Sequence, residues 1–534
     1  MATVPFVDSS SPDTIELSTI NVGSSTTLDS STLDSSTIPA GKDNNDNKET
    51  FSAPPPPSRP VKKAGMPYAV ANFLNSIVGA GIIGIPFALK ECGLVAGLLL
   101  LTWVGYLTSQ SVQMIVEMGR DLNVMDYEKL AEKIFGRKGY TTISIFMLIL
   151  AFGAMVAYCV VIGDIVPEIL GITRTATSRA LSIILCSGGV MLPLSLLKNM
   201  SNLAFTSFIS CAADIVLVFI IMFCSPISET VAEAGGFFAV LGSSILRPGT
   251  IFSGLGAMSF AFVCHHSSFI VSESLRDSTT ERWAMVTNIS VGMAYTMCLF
   301  LGLFGYLGFL ADTEGNILKS FVGEVGGGIL TSGRVMLALT MFFTYPMESF
   351  VARHSVVCLI WGEEAAADIQ RGRRMMVTVC LYLAALLLSL VLPDLGIVLE
   401  LTGAISGSFL AYILPSSMYL CVHSKELISL LKQIGMHDGF CCFCCIKLTA
   451  FSHLEEDGTG ARGRGNSEDV DAPVEIGTCV GVDSNSTSLG RLKFKIMVMR
   501  PFWLSLSMFV FGLIAFVVGS VTTIVSAVTP SADE

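Results

Sequence analysis

The chain has 534 residues, of which 52% are hydrophobic and 14% are charged, and its mean hydropathy is +0.67. Soluble globular chains carry about 25% charged residues, so this composition excludes an ordinary soluble domain and indicates a polytopic protein that sits in a lipid bilayer. The net charge of −11 comes from the termini, the loops and the segment after residue 423. It favours solubilising tails over a charged docking surface, and we expect no nucleic-acid partner.

Two long polar segments are separated by the main apolar part of the chain. Residues 1–65 are rich in Ser, Thr and Asp and contain the near-repeat "TTLDSSTLDSSTI", which predicts a disordered cytosolic tail. Residues 424–499 contain "EEDGTGARGRGNSEDVDAP" and predict a flexible cytosolic loop. Residues 500–534 then predict a final helix and a short luminal or extracellular tail.

Between and after these segments, long apolar stretches recur. A hydrocarbon core about 30 Å thick needs about 20 apolar helical residues to cross it, and eleven stretches meet this length. We number them as spans 1 to 11, and they lie near residues 66–90, 93–118, 141–169, 180–197, 202–224, 250–272, 284–310, 331–360, 375–392, 396–422 and 501–527.

The distribution of basic residues predicts the orientation. With a cytosolic amino terminus and eleven spans, the cytosolic side carries 26 of the 32 Lys and Arg residues. Basic residues concentrate on the cytosolic side of membrane proteins. The chain is therefore expected to be a multi-pass protein whose carboxyl terminus lies on the opposite side.

Span 1 contains "NSIVGAGIIGIP", residues 75–86, which places three glycines and a proline in an apolar segment. Helix breakers at membrane depth are tolerated where the freed backbone groups are buried in protein or line a cavity. The segment therefore predicts local unwinding near Val78–Gly81, with carbonyls and amides free to bind a cation and a charged substrate. Close helix packing through small residues is the alternative. Asn72 and Asn75, one turn apart, favour a polar cavity.

Span 6 supplies a counterpart five spans later. It reads "SGLGAMSFAFVCHHSSFIVSESL", residues 253–275, with small residues in its middle followed by two histidines. Transporters built from inverted repeats carry an interrupted helix at corresponding places in each half. The pattern predicts a five-plus-five repeat with one extra helix.

Six blocks in order carry a resemblance to a known family. They are "NFLNSIVGAGIIGIPFALKECG", "VIGDIVPEIL", "LPLSLLKNMSNLAFTSFIS", "FAFVCHHSSF", "TYPMESFVAR" and "LELTGAISGSFLAYILPS". The chain resembles the amino acid/auxin permease family over residues 66–423 and more weakly over 501–527. Within that family it is most similar to sodium-coupled neutral amino acid transporters and fungal vacuolar amino acid transporters.

The resemblance implies an all-α fold like that of the bacterial leucine transporter, in the amino acid–polyamine–organocation superfamily. Its repeats would cover residues 66–224 and 250–423, with alternating access around a site between spans 1 and 6. The resemblance places the family's span-1 asparagine at Asn75, its glycine pair at Gly79 and Gly81, and the hydroxyl that contacts sodium at Thr344. Back-bonding of the Thr344 hydroxyl to its own helix is the alternative.

Ionisable residues within spans are costly and therefore informative. Asp214 lies mid-span, and a histidine such as His265 can exchange a proton near neutral pH. Asp164, Glu348 and Glu400 are expected to be paired within the bundle or to reach the interface. We expect substrate contacts from Asn72, Ser76, Gly79, Ala80, Gly81, Ser259 and Phe260, and coupling-ion contacts from Asn75, Val78, Thr344, His265 and Asp214.

The cluster "CCFCC" contains Cys441, Cys442, Cys444 and Cys445. Its spacing does not match the paired cysteines of a tetrahedral zinc site, and its juxtamembrane position suits S-palmitoylation or unmodified thiols. We expect no metal and no cofactor. The sequence also lacks a P-loop, an H-E-x-x-H motif and a nucleophile elbow, so no enzyme activity is predicted.

These observations predict a secondary active transporter of neutral amino acids that is coupled to protons, with sodium as the alternative ion. A receptor that senses amino acids with little flux is the competing function. Animal plasma-membrane relatives carry a glycosylated loop after span 5 and a disulfide to the loop after span 7. Residues 225–249 contain no N-x-S/T sequon and residues 311–330 contain no cysteine, which favours the vacuolar membrane over the plasma membrane.

Overall fold

A computed structural model describes residues 65–197, 204–321, 327–362, 369–392, 394–423 and 488–528, without the side chains of 204–207 and 488–500. All regular elements within these ranges are helices. The predictions about the amino-terminal tail, the loop before span 11, the "CCFCC" cluster and the last residues lie outside the described part.

Nine helices in the described ranges are long and apolar enough to cross a membrane. They agree with the sequence-based spans to within a few residues, except that the helices of spans 3 and 11 begin earlier, and the helix of span 3 bends at Gly136. The continuous spans 2, 3, 7, 8, 9 and 11 are Leu94–Asp121, Tyr127–Ile169, Thr280–Phe309, Gly327–Trp361, Arg371–Val391 and Ser488–Val528.

Spans 4 and 10 each contain short π-helical turns, which are wider than the turns of an α-helix. Span 4 consists of Ala176–Cys186, the π-helical turn Ser187–Met191 and Leu192–Ser195. Span 10 consists of Leu395–Thr402, two π-helical turns at Gly403–Gly407 and Phe409–Ile413, and Leu414–Val422. Because π-turns keep their backbone hydrogen bonds while shifting the helix face, these spans change which residues meet their neighbours without exposing peptide groups.

Span 5 and span 1 are not straight. Span 5, Ala204–Cys224, bends by 47° into the short helix Ile227–Glu233. Span 1 is divided into Met66–Ile77, Ala80–Ile83 and Ile85–Cys92, each too short to cross a bilayer alone. Short helices also occupy the connecting loops at Phe237–Ser243, Leu310–Asp312 and Ile317–Ser320.

The proline of span 1 begins a helix instead of interrupting one. Pro86 lies in the first turn of Ile85–Cys92, where its missing N–H has no intrahelical partner to lose. The break itself falls at Val78 and Gly79, where the first helix has ended and the next has not begun. The glycine-rich segment thus unwinds span 1 where the sequence predicts.

The spans differ in how deeply they are buried. In the apolar windows of spans 3, 6 and 10, 72%, 78% and 72% of residues are buried, against 22% to 28% in spans 4, 9 and 11. Spans 3, 6 and 10 therefore form the centre of the bundle, and spans 4, 9 and 11 form much of its lipid-facing surface. The broken spans are enclosed by the bundle.

Glycines allow central helices to touch through their backbones. A β-carbon added to Gly256 in span 6 would lie 2.5 Å from the carbonyl oxygen of Glu400 in span 10. Gly403 meets the backbone of Gly256 in return. The mid-span glycines of span 6 therefore serve helix packing, which was the alternative weighed for glycines in span 1.

We expect Gly256→Ala to destabilise the protein by about 1–3 kcal/mol, because the added methyl group overpacks the contact with span 10. The control is Gly292→Ala in span 7, where a β-carbon meets nothing within 4 Å and the helix gains up to about 1 kcal/mol. Thermal unfolding of the two purified variants in detergent measures the difference. A Gly256→Ala protein as stable as wild type would contradict this packing.

Candidate transport site

The breaks of spans 1 and 6 lie at the centre of the candidate site. Span 6 consists of Ile251–Phe262 and His265–Ser274, separated at Val263 and Cys264. The small residues Gly256 and Ser259, which suggested an interrupted span 6, do not themselves mark the break. Those residues lie within a regular helix and pack against span 10, and the chain unwinds only after them.

The two interrupted spans touch beside the first break. A β-carbon added to Gly81 would lie 2.6 Å from the Cα atom of Ala261 in span 6. Only glycine permits this approach, since any side chain would push the two helices apart. The contact holds the unwound part of span 1 against the last turn of the first half of span 6.

A chain of polar groups extends from the break of span 1 across spans 3 and 8. A β-carbon added to Gly79 would lie 3.3 Å from the hydroxyl oxygen of Tyr158 in span 3. The Tyr158 side chain lies beside the side chain of Thr344 in span 8 and within electrostatic range of Asp214 and Glu348. Two residues predicted to bind the ion, Thr344 and Asp214, therefore share a neighbour beside the unwound backbone.

Asp214 of span 5 has the chemistry of a cation site. Its side chain lies beside that of Thr340 in span 8 and is 1% exposed. Its Oδ2 atom has no hydrogen-bond partner within the described residues, and neither has the buried hydroxyl of Ser210, one turn earlier. Carboxylate, hydroxyl and carbonyl oxygens are the ligands of hard cations, and a buried carboxylate can alternatively hold a proton.

Thr344 donates its hydroxyl proton to the carbonyl oxygen of Thr340 at 2.7 Å, so the back-bonding alternative is confirmed. This bond uses the proton and leaves the oxygen lone pairs free to accept from Tyr158 or to contact a cation. Asn75 lies at the end of the first helix of span 1, is 6% exposed, and has an amide oxygen without a described partner. Both side chains can thus offer an oxygen to the interior.

The other predicted residues of span 1 occupy different environments. The Ser76 hydroxyl donates to the carbonyl oxygen of Asn72 at 3.1 Å, and both residues are partly buried. Val78 and Ala80 flank the break and are buried, with exposures of 3% and 1%.

The predicted residues of span 6 face spans 2 and 10. The Ser259 hydroxyl is fully buried and lies near the hydroxyl of Tyr412, and the backbone of Phe260 packs against Gly403. His265 begins the second half of span 6, and its Nε2 atom hydrogen-bonds with the hydroxyl of Ser111 in span 2 at 2.7 Å. Its Nδ1 atom has no partner among the described residues.

Sequence reasoning missed Tyr158 and Thr340. Tyr158 is a lone tyrosine inside the apolar run of span 3, and Thr340 lies four residues before Thr344. That spacing puts the two threonines on one helix face, which was a usable signal. Nothing local to span 3 indicates that Tyr158 meets span 1, because the contact depends on how the helices pack.

Comparison with known proteins identifies the family. The family described as "Transmembrane amino acid transporter protein" matches residues 62–454, which is well over half of the chain. The chain belongs to this family. It is therefore an integral multi-pass amino acid transporter and not an enzyme, as the sequence predicted.

Two relatives show how the family is represented. A rat protein named "Putative sodium-coupled neutral amino acid transporter 11" is 30% identical over 379 residues, covering 69% of this chain and 81% of the relative. "Vacuolar amino acid transporter 2" of Saccharomyces cerevisiae is 30% identical over 379 residues, covering 68% of this chain and 78% of the relative. The sequence-based resemblance to both branches is thus confirmed.

Among solved structures, the nucleobase-cation-symport-1 family transporter Mhp1, in a closed conformation, is similar with a TM-score of 0.49 and 13% identity. The match covers 88% of this chain and 94% of that chain. The description of the site around Gly79 rests on the contacts within this chain and not on that structure.

We expect Tyr158→Phe to raise the cation concentration needed for half-maximal uptake by about fivefold, because the only hydroxyl of this residue lies beside the break and a polar contact of this kind is worth about 1 kcal/mol. Uptake measured over a range of proton and sodium concentrations detects the change. The matched control is Tyr106→Phe, at a tyrosine that is 48% exposed on span 2. Equal cation dependence in both variants would show that the Tyr158 hydroxyl takes no part in coupling.

Proposed function

We propose that the protein is a secondary active transporter of neutral amino acids that works by alternating access and is coupled to protons. Support for the transport cycle comes from the contact between Gly81 and Ala261, which brings two interrupted helices together at one point. Interrupted helices present backbone polar groups inside the bundle, where substrate and ion can replace water. A five-plus-five inverted repeat with span 11 appended is part of this proposal.

The substrate class is proposed from the groups beside the break of span 1. Free amides near Gly79 to Gly81 suit the carboxylate of an amino acid, as helix amino termini suit anions. The amide of Asn72 and the hydroxyls of Ser76 and Ser259 suit its polar groups, with Phe260 beside the side chain. The printed name of the rat relative includes neutral amino acids, which supports the same class.

The coupling ion is proposed to bind between spans 1, 5 and 8. Its ligands would be the carbonyl of Val78, the amide oxygen of Asn75, the hydroxyl of Thr344 and the carboxylate of Asp214. A proton on Asp214 satisfies a buried carboxylate that has one oxygen without a described partner. His265 is the second candidate for carrying the proton. The vacuolar relative favours protons, and the sodium-coupled name of the rat relative favours the alternative.

We propose that the protein resides in the vacuolar membrane with a cytosolic amino terminus. Support comes from two fungal relatives named as vacuolar amino acid transporters and from the absence of a sequon in residues 225–249. A fluorescent fusion at the cell surface, and not at vacuoles, would overturn this location.

Vesicle uptake separates the ions and tests the function. We expect purified protein in liposomes to accumulate labelled neutral amino acids under an imposed pH gradient, with no requirement for sodium. Uptake that survives collapse of the pH gradient but stops when sodium is replaced would assign coupling to sodium. Saturable binding without accumulation under either gradient would contradict transport and favour an amino acid-sensing receptor.

Two variants test the proposed ion ligands. We expect Asp214→Asn to abolish accumulation against a gradient while exchange of amino acid persists. We expect Thr344→Ala to raise the half-saturating cation concentration by about tenfold, because a contact to a charged group is lost. Thr296→Ala is the matched control, since Thr296 makes the same back-bond, to Gly292 at 2.8 Å, on an exposed face. Accumulation by Asp214→Asn at the wild-type level would remove Asp214 from the ion site.

A further inference from the structure

Spans 6, 10 and 11 meet at a second point, away from the break of span 1. Gly256 and Gly403 bring the backbones of spans 6 and 10 together. A β-carbon added to Gly519 in span 11 would lie 3.1 Å from Cβ of Ala404 and 3.2 Å from the carbonyl oxygen of Phe252. One glycine from each helix thus allows all three helices to approach closely.

Each helix places a polar residue one turn from its contact glycine. Ser253, Glu400 and Thr523 come from spans 6, 10 and 11, and their exposures are 2%, 4% and 1%. The Thr523 hydroxyl lies 3.5 Å from Oε2 of Glu400 and 3.3 Å from the hydroxyl of Ser253. Span 11 is mostly lipid-facing, with 28% of its apolar window buried, and Thr523 is one of its few buried residues.

No cation balances Glu400 in the part of the chain that the structure describes. The charged groups that act on it are Glu91 and Asp394, both acidic, and the nearby Cys92 thiol donates to a backbone carbonyl instead. An ionised carboxylate enclosed with only a hydroxyl partner is costly in the membrane interior. A proton on Glu400 removes that charge and supplies a donor for the Thr523 oxygen.

We propose that Glu400, Thr523 and Ser253 form a proton-binding site, and that spans 6, 10 and 11 pack as seen here only while Glu400 carries a proton. Loss of the proton leaves an unpaired charge between the three helices and favours their separation, which admits water to the carboxylate. The site therefore links protonation to the packing of span 6, the helix that contacts span 1 through Ala261.

The position of the site suggests which compartment supplies the proton. Ser253 is near the start of span 6, Glu400 near the start of span 10 and Thr523 near the end of span 11, so all three lie toward the same face of the bundle. In the proposed orientation that face is non-cytosolic. This inference rests on the proposed function because it makes closure of that face, and hence the transport rate, depend on non-cytosolic pH.

The site also assigns a role to span 11, which lies beyond the family match at residues 62–454. Polar contacts between membrane helices are often static attachments. A static attachment predicts that replacing Glu400 by glutamine, which keeps the hydrogen bond, changes nothing that depends on pH. Proton binding predicts the opposite, so glutamine substitution distinguishes the two.

The test measures exchange of labelled amino acid in liposomes with the cytosolic-side pH fixed and the other side titrated. We expect wild-type exchange to fall at high pH on the non-cytosolic side, by up to about tenfold per pH unit, since a single site loses its proton at that rate. Glu400→Gln should exchange faster than wild type at high pH, because the part of the fall that comes from Glu400 is lost and only the part that comes from the coupling proton remains. Glu233→Gln, at an exposed glutamate of a connecting helix, should retain the wild-type profile.

Thr523→Val provides a second variant. We expect it to move the midpoint of the pH profile upward, because the ionised carboxylate loses its hydroxyl donor. A second readout does not require transport: thermal stability of the purified wild-type protein should fall as pH rises, because the packed state holds a proton that the unfolded state releases. The thermal stability of the Glu400→Gln protein should lack this part of the pH dependence.

The outcomes separate the two proposals. A Glu400→Gln protein whose exchange falls with the same midpoint and depth as wild type, or whose thermal stability retains the wild-type pH dependence, overturns the Glu400 site and leaves the proposed function intact. Wild-type exchange without accumulation under any gradient contradicts the proposed coupling, whereas a flattened Glu400→Gln profile in the same assay still supports the proton-binding site.

Discussion

The rest of the structure depends on one constraint, which is that backbone N–H and C=O groups cannot remain unpaired in hydrocarbon. The interruptions of spans 1 and 6 satisfy this constraint because they lie inside the bundle. The residues at them are between 0% and 6% exposed, namely Val78, Ala80, Val263 and Cys264. The most lipid-facing spans, 4, 9 and 11, keep helical hydrogen bonding along their described lengths. In the described ranges, non-helical backbone at membrane depth is therefore concentrated inside the bundle, at the breaks of spans 1 and 6.

The sequence predicted the features of the fold whose signal lies within one short stretch of residues, and not the features that depend on contacts between helices. Apolar length predicted the spans closely, and the segment around Gly79 predicted the interruption of span 1. The sequence predicted that span 6 is interrupted but not where, because its glycines look the same whether they unwind a helix or allow a neighbouring helix to approach. Gly256 admits span 10, while Val263 and Cys264 at the true break carry no local signature. Tertiary packing decides between the two uses of glycine.

In the candidate site, too, single residues could be selected from the sequence, but their partners on other helices could not. Asp214 could be selected from the sequence because an acid in mid-span is rare and costly. Its partner Thr340 and the bridging Tyr158 come from other spans, and their meeting depends on helix packing. For Thr344 the sequence left two alternatives, back-bonding to its own helix and contact with an ion. They are compatible, because the hydroxyl proton bonds to its own helix while the oxygen remains free to accept.

Two of the buried carboxyl groups, those of Asp214 and Glu400, have surroundings that suggest different roles. Asp214 lies near the break of span 1 with hydroxyls around it and one oxygen unpaired among described residues, an arrangement that can accept a cation. Glu400 lies among other acids with a hydroxyl from span 11, an arrangement that favours a proton. An unpaired buried charge costs several kcal/mol, and about 5.5 kcal/mol shifts a two-state equilibrium from 1:99 to 99:1. Protonation of a single carboxyl group is therefore large enough, on energetic grounds, to bias which face of such a bundle is closed.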